Sequence, residues 1–464
     1  MSRTGVALLF LVLGFLSVQF LQAGTVSSEF SSTAKDPGVR GGIPGAGPAF
    51  SELTSSQLAF YNAGLTEFQE VEDVDVGLGP MMNLDSCAGC HTQPTIGGSS
   101  PPVNPQVAFA TKNGATNTVP SFIAFDGPVR EARFVRNPDG TPDGGVHDLF
   151  TIAGRSDAPG CTLRQPDFAT AVANHNVIFR IPTPVFGAGL IEQIPDNVLL
   201  ANQAANEPQK SALGIRGRPN IVLAGSTVSG QPNKNGNDGT IARFGWKAQN
   251  KSLLLFAGEA YNVEMGITNE LFQTERHESA QCQFATTPND VTNTESAIIT
   301  ETSSGTERFA MFMRFLAPPK PSEDTPGGVQ SIGRGRRLFS GTGCALCHTP
   351  TMHTGNSNVA ALRNKSVNLY SDLMVHDMGP GLADGVTQGQ AGPREFRTAP
   401  LWGLGQRIFF LHDGRTNALI TAIQAHESQG TTNRDGSEAN AVIRMFNQLP
   451  DSQKQDLLNF LRSL

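Results

Sequence analysis

Two copies of one short motif, separated by more than half of the chain, constrain this sequence more than any other feature. Cys87-Ala-Gly-Cys90-His91 and Cys344-Ala-Leu-Cys347-His348 both have the pattern C-x-x-C-H. This spacing puts two thiols on one turn, where they can add to the two vinyl groups of one haem while the adjacent histidine binds the iron. Each motif therefore predicts one covalently attached haem c, held by its two cysteines and ligated by its histidine.

A zinc site is the alternative interpretation, because two C-x-x-C pairs can supply four thiolates to one ion. Two features of the motifs favour haem instead. The stretch between Cys90 and Cys344 contains 253 residues, and a histidine directly follows each pair. We therefore expect two haem c groups rather than one zinc ion.

The N-terminal residues are typical of a signal peptide. A short start with Arg3 precedes an apolar run from Val6 to Leu21, which is short for a membrane span. We predict a signal peptide over residues 1–23, with retention as an N-terminal anchor as the alternative, and no stable membrane span in the mature chain. Because haem c is attached outside the cytoplasmic membrane, the motifs and this segment together predict a periplasmic protein.

Charge and composition limit the possible partners and the type of fold. The formal net charge is −7, and no cluster of Lys and Arg of the kind that binds phosphate backbones is present, so nucleic acid is not expected as a partner. Fifty Gly, thirty Pro and only 38% apolar residues indicate many turns and loops. We predict a mainly α fold with two cytochrome c-type haem domains, long irregular loops and a few short strands.

Two cysteines, Cys161 and Cys282, remain after the haem pairs are assigned. In an oxidising compartment they are expected to form a disulfide across a separation of 121 residues. Two buried free thiols are the alternative.

The domain boundaries follow from composition. Residues 24–50 are rich in Gly, Ser and Pro and predict a flexible arm, whereas residues 317–328 contain four Pro and two Gly and predict a linker. We therefore expect an N-terminal haem c domain with a large insertion over 51–325 and a C-terminal cytochrome c domain over 326–464.

A weak internal repeat accompanies the two motifs. The pattern Gly-x-x-x-Phe precedes each of them, as Gly64 and Phe68 before the first and as Gly335 and Phe339 before the second. The two haem sites are therefore expected to be diverged copies of one unit, a helix followed by a haem motif.

The C-terminal sequence resembles one known superfamily. Residues 397–401 are Arg-Thr-Ala-Pro-Leu, an Asp-Gly turn follows His412, and His426 comes fourteen residues after His412. This order is similar to that of the bacterial di-haem cytochrome c peroxidases, in which a helix after the H-D-G turn bears the sixth ligand of the C-terminal haem. The resemblance implies that His426 is the second ligand of the iron bound by His348.

Histidine at this position departs from the peroxidases, which usually have methionine there. Two histidine ligands give a lower potential than His and Met together, and the arrangement resembles that of the rubber oxygenases of the same superfamily. A surface position for His426 is the alternative, and His376 and Met378 are then the next ligand candidates. His412 would orient a ligand or a propionate.

A closer resemblance covers nearly the whole mature chain and is to the di-haem oxidoreductases, also called thiol oxidoreductases. It is carried by blocks at residues 77–80, 186–195, 243–247, 264–268 and 372–384, in addition to the haem motifs. It implies a redox enzyme with two haem c groups. Thiol chemistry is not expected, because haem uses both C-x-x-C pairs.

The first haem is the expected site of chemistry. No histidine follows His91 until His147, whereas the peroxidases place a distal histidine soon after the motif. An open iron could bind an oxidant, and a nearby acid could move a proton between the two peroxide oxygens. Glu192, in an apolar block rich in glycine, is the candidate acid, and a structural salt bridge is its alternative role.

Other residues are expected to position the haems and to carry electrons. Trp246 and Trp402 lie in matched blocks, and an indole between the haems could relay electrons, with ordinary core packing as the alternative. Arg243, Lys247 and Arg397 are the expected partners of the haem propionates.

The function predicted from the sequence is that of a peroxidase-like di-haem oxidoreductase. The C-terminal haem would take electrons from a small donor protein, such as a cytochrome or a cupredoxin, and the N-terminal haem would reduce peroxide or activate a small-molecule oxidant. The alternatives are an electron-transfer cytochrome without catalysis and an oxygenase that acts on an organic substrate. Calcium between the domains is left open.

Overall fold

The computed structural model describes residues 33–142, 155–223, 227–228, 231–232, 240–274, 280–430 and 436–464. Helix makes up 35% and strand 9%, which confirms a mainly α fold with few short strands. The predicted signal peptide lies outside the described residues. Within the described ranges, no helix combines the length and apolar character needed to cross a bilayer.

The helices of the described residues follow the chain as α1 (Ser55–Gln69), α2 (Cys87–Cys90), α3 (Gln106–Lys112), α4 (Phe168–Ala173), α5 (Ala188–Glu192), α6 (Asp196–Ala204), α7 (Glu207–Leu213), α8 (Leu253–Met265), α9 (Ile299–Thr302), α10 (Gly305–Phe315), α11 (Gly328–Gly341), α12 (Leu419–Gln424), α13 (Asn440–Asn447) and α14 (Asp451–Ser463).

The strands of the same ranges are β1 (Glu131–Phe134), β2 (Val177–Arg180), β3 (Asn220–Ile221), β4 (Thr227–Val228), β5 (Gln231–Pro232), β6 (Ile241–Ala242), β7 (Met352–His353), β8 (Ser366–Val367), β9 (Val375–Asp377) and β10 (Glu395–Arg397). They form antiparallel pairs, β1 with β2, β3 with β6, β4 with β5, β7 with β8 and β9 with β10.

The helix before the first haem motif, α1, packs against α10. Thr54 caps its N-terminus in a reciprocal capping box with Gln57, which satisfies two backbone N–H groups that a helix start leaves free. The helices approach most closely at Gly64, where an added Cβ would lie 2.1 Å from the carbonyl oxygen of Arg308. One turn later, the Phe68 ring contacts the His91 ring with centroids 5.8 Å apart.

The helix before the second motif repeats this arrangement. In α11, a Cβ at Gly335 would lie 2.0 Å from the carbonyl oxygen of Asp456 on α14. One turn later, the Phe339 ring lies 6.3 Å from the His348 ring. The predicted repeat is therefore present in three dimensions, because in both copies glycine permits the helix crossing and phenylalanine contacts the histidine of the motif.

Residues 34–50, predicted as part of a flexible arm, lie against the rest of the chain. Asp36 forms a bidentate ion pair with the buried Arg462 of α14, and Tyr61 donates a hydrogen bond to the carbonyl of Gly47. A β-bridge joins Ala49 to Leu316. This part of the arm is therefore extended but held in place.

The predicted linker between α10 and α11 is irregular, with no helix or strand over residues 317–327. The largest hydrophobic core nevertheless includes residues from both sides of it, from Phe68 to Trp402, and a smaller core joins α11, α12, α13 and α14. Residues 34–464 form one compact unit. The boundary near residue 325 stays a prediction.

The predicted disulfide is confirmed, because Cys161 and Cys282 are bonded across 121 residues. The bond joins the loop before α4 to the segment before α9. It thus cross-links two segments that contain few helices or strands.

Removal of this disulfide should lower the stability of the fold. In a Cys161→Ser/Cys282→Ser variant, the unfolded chain regains the entropy that the cross-link removes, so we expect a loss of about 2–4 kcal/mol. Urea denaturation followed by tryptophan fluorescence measures it. An unchanged midpoint would mean that the closed loop does not restrict the unfolded chain.

Candidate haem centre

A large cavity of about 220 Å³ adjoins the second motif. Cys344, Cys347 and His348 lie in its wall, and most other lining residues are apolar. The two cysteines are free thiols and half-buried. Apolar walls suit a planar macrocycle, which itself supplies part of the core.

His348 is oriented by its backbone surroundings. Its Nδ1 lies 3.0 Å from the carbonyl oxygen of Tyr370, so this nitrogen is the donor and Nε2 keeps a lone pair. Burial, together with the neighbouring His426, lowers the pKa of His348 to about 4. The ring is therefore neutral at physiological pH, as an iron ligand must be.

His426 lies just beyond the end of α12 and lines the same cavity. Its Nδ1 lies 2.8 Å from the carbonyl oxygen of Ala422, so Nε2 is again the nitrogen that can bind a metal. Burial lowers the pKa of His426, which keeps the ring neutral. Two neutral histidines with the same nitrogen available thus face one cavity.

The same cavity is also lined by His376, His412 and Met378. His376 lines the cavity, but its ring nitrogens lie 2.9 Å from Glu438 Oε2 and 3.0 Å from Asp372 Oδ2, so two carboxylates occupy them. His412 stacks on the Phe396 ring with centroids 4.3 Å apart. Met378 also lines the cavity. His376 is therefore less available as a metal ligand than His426, because only Nδ1 of His426 is engaged by the Ala422 carbonyl.

Two arginines of the large cavity lack an acidic partner. In the part of the chain that the structure describes, no salt bridge is formed by Arg397 or Arg407, although both line this cavity and Arg397 is only 9% exposed. Burial lowers the pKa of each to about 10, with the charge of Arg407 adding to the shift at Arg397. Cations this poorly solvated need an anion, and carboxylates such as haem propionates would supply it.

A second, smaller cavity of about 80 Å³ adjoins the first motif and is lined by Cys90 and His91. His91 Nδ1 lies 3.0 Å from the carbonyl oxygen of Gly98, so Nε2 is the ligating nitrogen here too. Among the described residues that line this cavity, His91 is the sole histidine and methionine is absent. Its wall therefore offers no second strong ligand of the kind present in the large cavity.

Carboxylates occupy the wall of the smaller cavity instead. Glu131, Glu259 and Glu264 line it, and Glu264 Oε2 lies 3.9 Å from His91 Nε2. Burial raises the pKa of Glu259, which is only 2% exposed, and Arg133 opposes part of this shift. Glu259 Oε1 has no hydrogen-bond partner among the described residues, whereas Asn250 and Gln249 donate to Oε2.

Trp246 lines both cavities. Its Nε1 donates a hydrogen bond of 3.0 Å to the carbonyl oxygen of Ile181, which fixes the indole in place. Trp402 lines neither cavity and packs against Gly187. Of the two tryptophans, Trp246 alone has the position that an electron relay between two haems requires.

Two residues that were predicted for the site, Glu192 and Arg243, line neither haem cavity. Glu192 forms a bidentate ion pair with Arg314 and accepts the backbone N–H of Leu253, so its contacts match the salt-bridge alternative, and it does not line the His91 cavity. Arg243 binds Asp196 and the carbonyl of Ile194 and lines neither cavity. Lys247 is also engaged, by the buried Asp384.

Glu259 and Arg407 were not predicted from the sequence. A signal for Glu259 was available, because it interrupts the apolar run of α8, where an acid is expected only if it has a special role. No pattern distinguishes Arg407 from a surface arginine. Its importance follows from its place beside the cavity.

The residues present fit two haem groups. The C-x-x-C pairs open into different cavities, so within the described ranges they do not form one four-thiolate zinc site. Each cavity has a histidine with Nε2 available, and the larger one has two arginines that form no ion pair within the described residues. Haem satisfies all of these features at once.

Comparison with known proteins points in the same direction. A family model described as "Di-haem oxidoreductase, putative peroxidase" matches residues 131–464. No curated protein matches.

Matches to solved structures are remote. They include hydrazine synthase of Kuenenia stuttgartiensis, with 17% identity over 36% of this chain and 56% of that chain and a TM-score of 0.23. The di-haem peroxidase BthA of Burkholderia thailandensis has 17% identity over 48% of this chain and 65% of that one, with a TM-score of 0.28. A MauG-like protein associated with microbial copper homeostasis has 15% identity over 58% and 89%, with a TM-score of 0.27. The chain thus covers less than two thirds of the length of the hydrazine synthase chain and of the BthA chain.

Proposed function

The chain belongs to the di-haem oxidoreductase family, and on this basis we propose that it is an exported di-haem c enzyme of the peroxidase type. The observation that carries the proposal is the contrast between the two cavities. One has two neutral histidines, His348 and His426, whereas the other has His91 as its sole histidine among the described lining residues, with three glutamates and three arginines in its wall. The first arrangement suits electron transfer alone, and the second leaves room for a substrate.

When bound, haem supplies an iron that exchanges single electrons and, where a coordination position is open, can accept an oxidant. Reduction of one peroxide to two waters consumes two electrons and two protons, which matches a protein with two one-electron centres. Cys87 and Cys90 would hold one haem, and Cys344 and Cys347 the other. Arg397 and Arg407 would pair with propionates of the second.

The chain's own residues would handle the proton. Glu259 replaces Glu192 as the proposed acid, because its Oε1 is buried without a hydrogen-bond partner among the described residues and its raised pKa favours retention of a proton. A proton held at this oxygen can pass to a peroxide oxygen in the cavity. The negative charge of Glu131 adds to the raised pKa of Glu259 and so favours the neutral acid.

Trp246 is proposed to connect the two centres, since it lines both cavities with a fixed orientation. The direction of electron flow proposed is from the His348 site to the His91 site. A small redox protein would supply the electrons.

The periplasm is the proposed location. The apolar run near the N-terminus, the two C-x-x-C-H motifs and the Cys161–Cys282 disulfide are all typical of an oxidising compartment outside the cytoplasm.

Carbon monoxide tests the central proposal. Added to the fully reduced holoprotein, it should bind one haem only, because His348 and His426 would both bind the iron of the other. Peroxide consumption with a small reductant should accompany this binding. Binding to neither haem would instead favour a pure electron-transfer cytochrome, and turnover of an organic substrate without peroxide would favour an oxygenase.

The Glu259→Gln variant should lose most of its peroxide turnover. The amide keeps the shape of the side chain but cannot deliver a proton, so we expect a decrease of about 10²–10⁴-fold with unchanged haem spectra. Glu192→Gln is the matched control, and its turnover should stay near that of the wild type. A large loss in Glu192→Gln with little loss in Glu259→Gln would restore Glu192 as the acid.

A further inference from the structure

A surface groove of about 580 Å³ lies between α11, α13 and the start of α14. Leu338, Met445 and Leu449 form its apolar part, and Met445 is 38% exposed. Concave apolar surface surrounded by charged groups is typical of sites that contact another molecule. The groove is separate from both haem cavities.

The groove and the large cavity share a wall. Leu338 and Thr342 line the groove, while the residues that follow them, Phe339 and Gly343, line the cavity. The Thr342 hydroxyl also lies 3.3 Å from Cys344 Sγ. A molecule in the groove is therefore one layer of side chains away from the His348 site.

Positive charge is in excess on the helices that form the groove, in a chain whose net charge is −7. On α11, α13 and the first turns of α14 there are five cations and two carboxylates. Arg334 is paired with Asp456, and Lys454 lies near Asp451. Among the exposed arginines that form no ion pair within the described residues, Arg337 lines the groove and Arg444 precedes its lining residue Met445, whereas Arg336 lies over the Phe460 ring.

We propose that this groove docks a small acidic one-electron donor protein. The inference rests on the proposed function and specifies the chemistry of its electron donor. The donor would be oxidised by one electron, which the haem held beside His348 would accept, with no bond broken and no proton moved. Opposite charges accelerate the encounter and set its orientation, and the apolar floor then contributes to contact.

A shared wall with the redox site favours a donor protein over an anionic membrane surface. A lipid headgroup would be attracted by the same arginines, but it would gain nothing from proximity to Cys344. The concave apolar floor also suits a protruding part of a protein surface better than a flat bilayer.

Oxidised plant-type [2Fe–2S] ferredoxin, a small acidic protein, is the probe for binding. Calorimetry at low ionic strength measures its Kd for the full holoprotein and for an Arg337→Glu/Arg444→Glu variant. Reversal of both charges should raise Kd by about tenfold or more. The control Arg164→Glu/Arg363→Glu makes the same change in net charge at exposed positions outside the groove and should leave Kd nearly unchanged.

Electron transfer gives a second measurement. The rate of reduction by reduced ferredoxin should fall with rising ionic strength in the wild type, and this dependence should disappear in the groove variant. Peroxide turnover with a small uncharged hydroquinone should be the same in both proteins. Absence of that turnover would count against the proposed function alone, because binding of ferredoxin does not depend on it.

Three outcomes would overturn the docking proposal. One is an equal loss of affinity in the control variant. Another is an unchanged Kd in the groove variant. The third is binding to vesicles of anionic lipid that the groove variant loses while it keeps its affinity for ferredoxin.

Discussion

The His426→Ala variant should lose the low-spin signal of one haem while the other signal stays as in the wild type. His426 lies in the same cavity as His348, is neutral, and has Nε2 available. Loss of an imidazole ligand weakens the field on the iron and opens a coordination position, so the iron at His348 should become high-spin. Electron paramagnetic resonance and optical spectra of the purified protein measure this change.

Two further variants make the assignment specific. His426→Met should keep the iron six-coordinate but raise its potential, because a thioether favours ferrous iron more than imidazole does. Met378→Ala is the matched control from the same cavity and should leave the low-spin signal intact. A low-spin signal that survives in His426→Ala and disappears in Met378→Ala would transfer the ligand role to Met378.

The Gly335→Ala variant should be strongly destabilised. Its new Cβ would lie 2.0 Å from the Asp456 carbonyl oxygen of α14, and a backbone atom in a packed helix cannot move aside at low cost. Separation of the two helices should cost about 3 kcal/mol. Denaturation followed by haem absorbance should show the loss and a change in the surroundings of His348, because Phe339 follows on the same helix.

Gly333→Ala provides the control within α11. An added Cβ at Gly333 meets a single atom, the flexible Arg337 guanidinium, at 4.0 Å. Alanine restricts the unfolded chain without a clash, so stability should rise by about 0.5–1 kcal/mol. Equal effects at both glycines would contradict a role of the helix crossing.

Local patterns in the sequence were sufficient for several conclusions. The C-x-x-C-H motifs have a fixed chemical meaning, so Cys87, Cys90, Cys344, Cys347 and both following histidines could be predicted without a fold. The disulfide followed from the count of cysteines that remained. The helix before each motif followed from a repeat in which glycine and phenylalanine stand four residues apart.

Residues whose partners lie far away in the sequence were harder to predict. Glu192 was selected because its block is apolar, but its carboxylate is bound by Arg314, which lies 122 positions further along the chain. Arg243 was predicted to pair with a haem propionate because it lies in one of the blocks that resemble the family. Its guanidinium is instead bound by Asp196. Neither partner can be identified from local sequence, because an ion pair depends on which segments meet after folding.

The sequence by itself therefore determined what can be predicted from neighbours along the chain: two proposed haem attachment sites with their histidines, one disulfide and a mainly helical chain. Only the tertiary structure decided how these parts lie together. It placed Trp246 in the walls of both cavities, and within the described residues it left Arg397 and Arg407 without acidic partners and one oxygen of the buried Glu259 without a hydrogen bond. The physical reason is that covalent attachment depends on neighbours along the chain, whereas burial, pKa and pairing depend on neighbours in space.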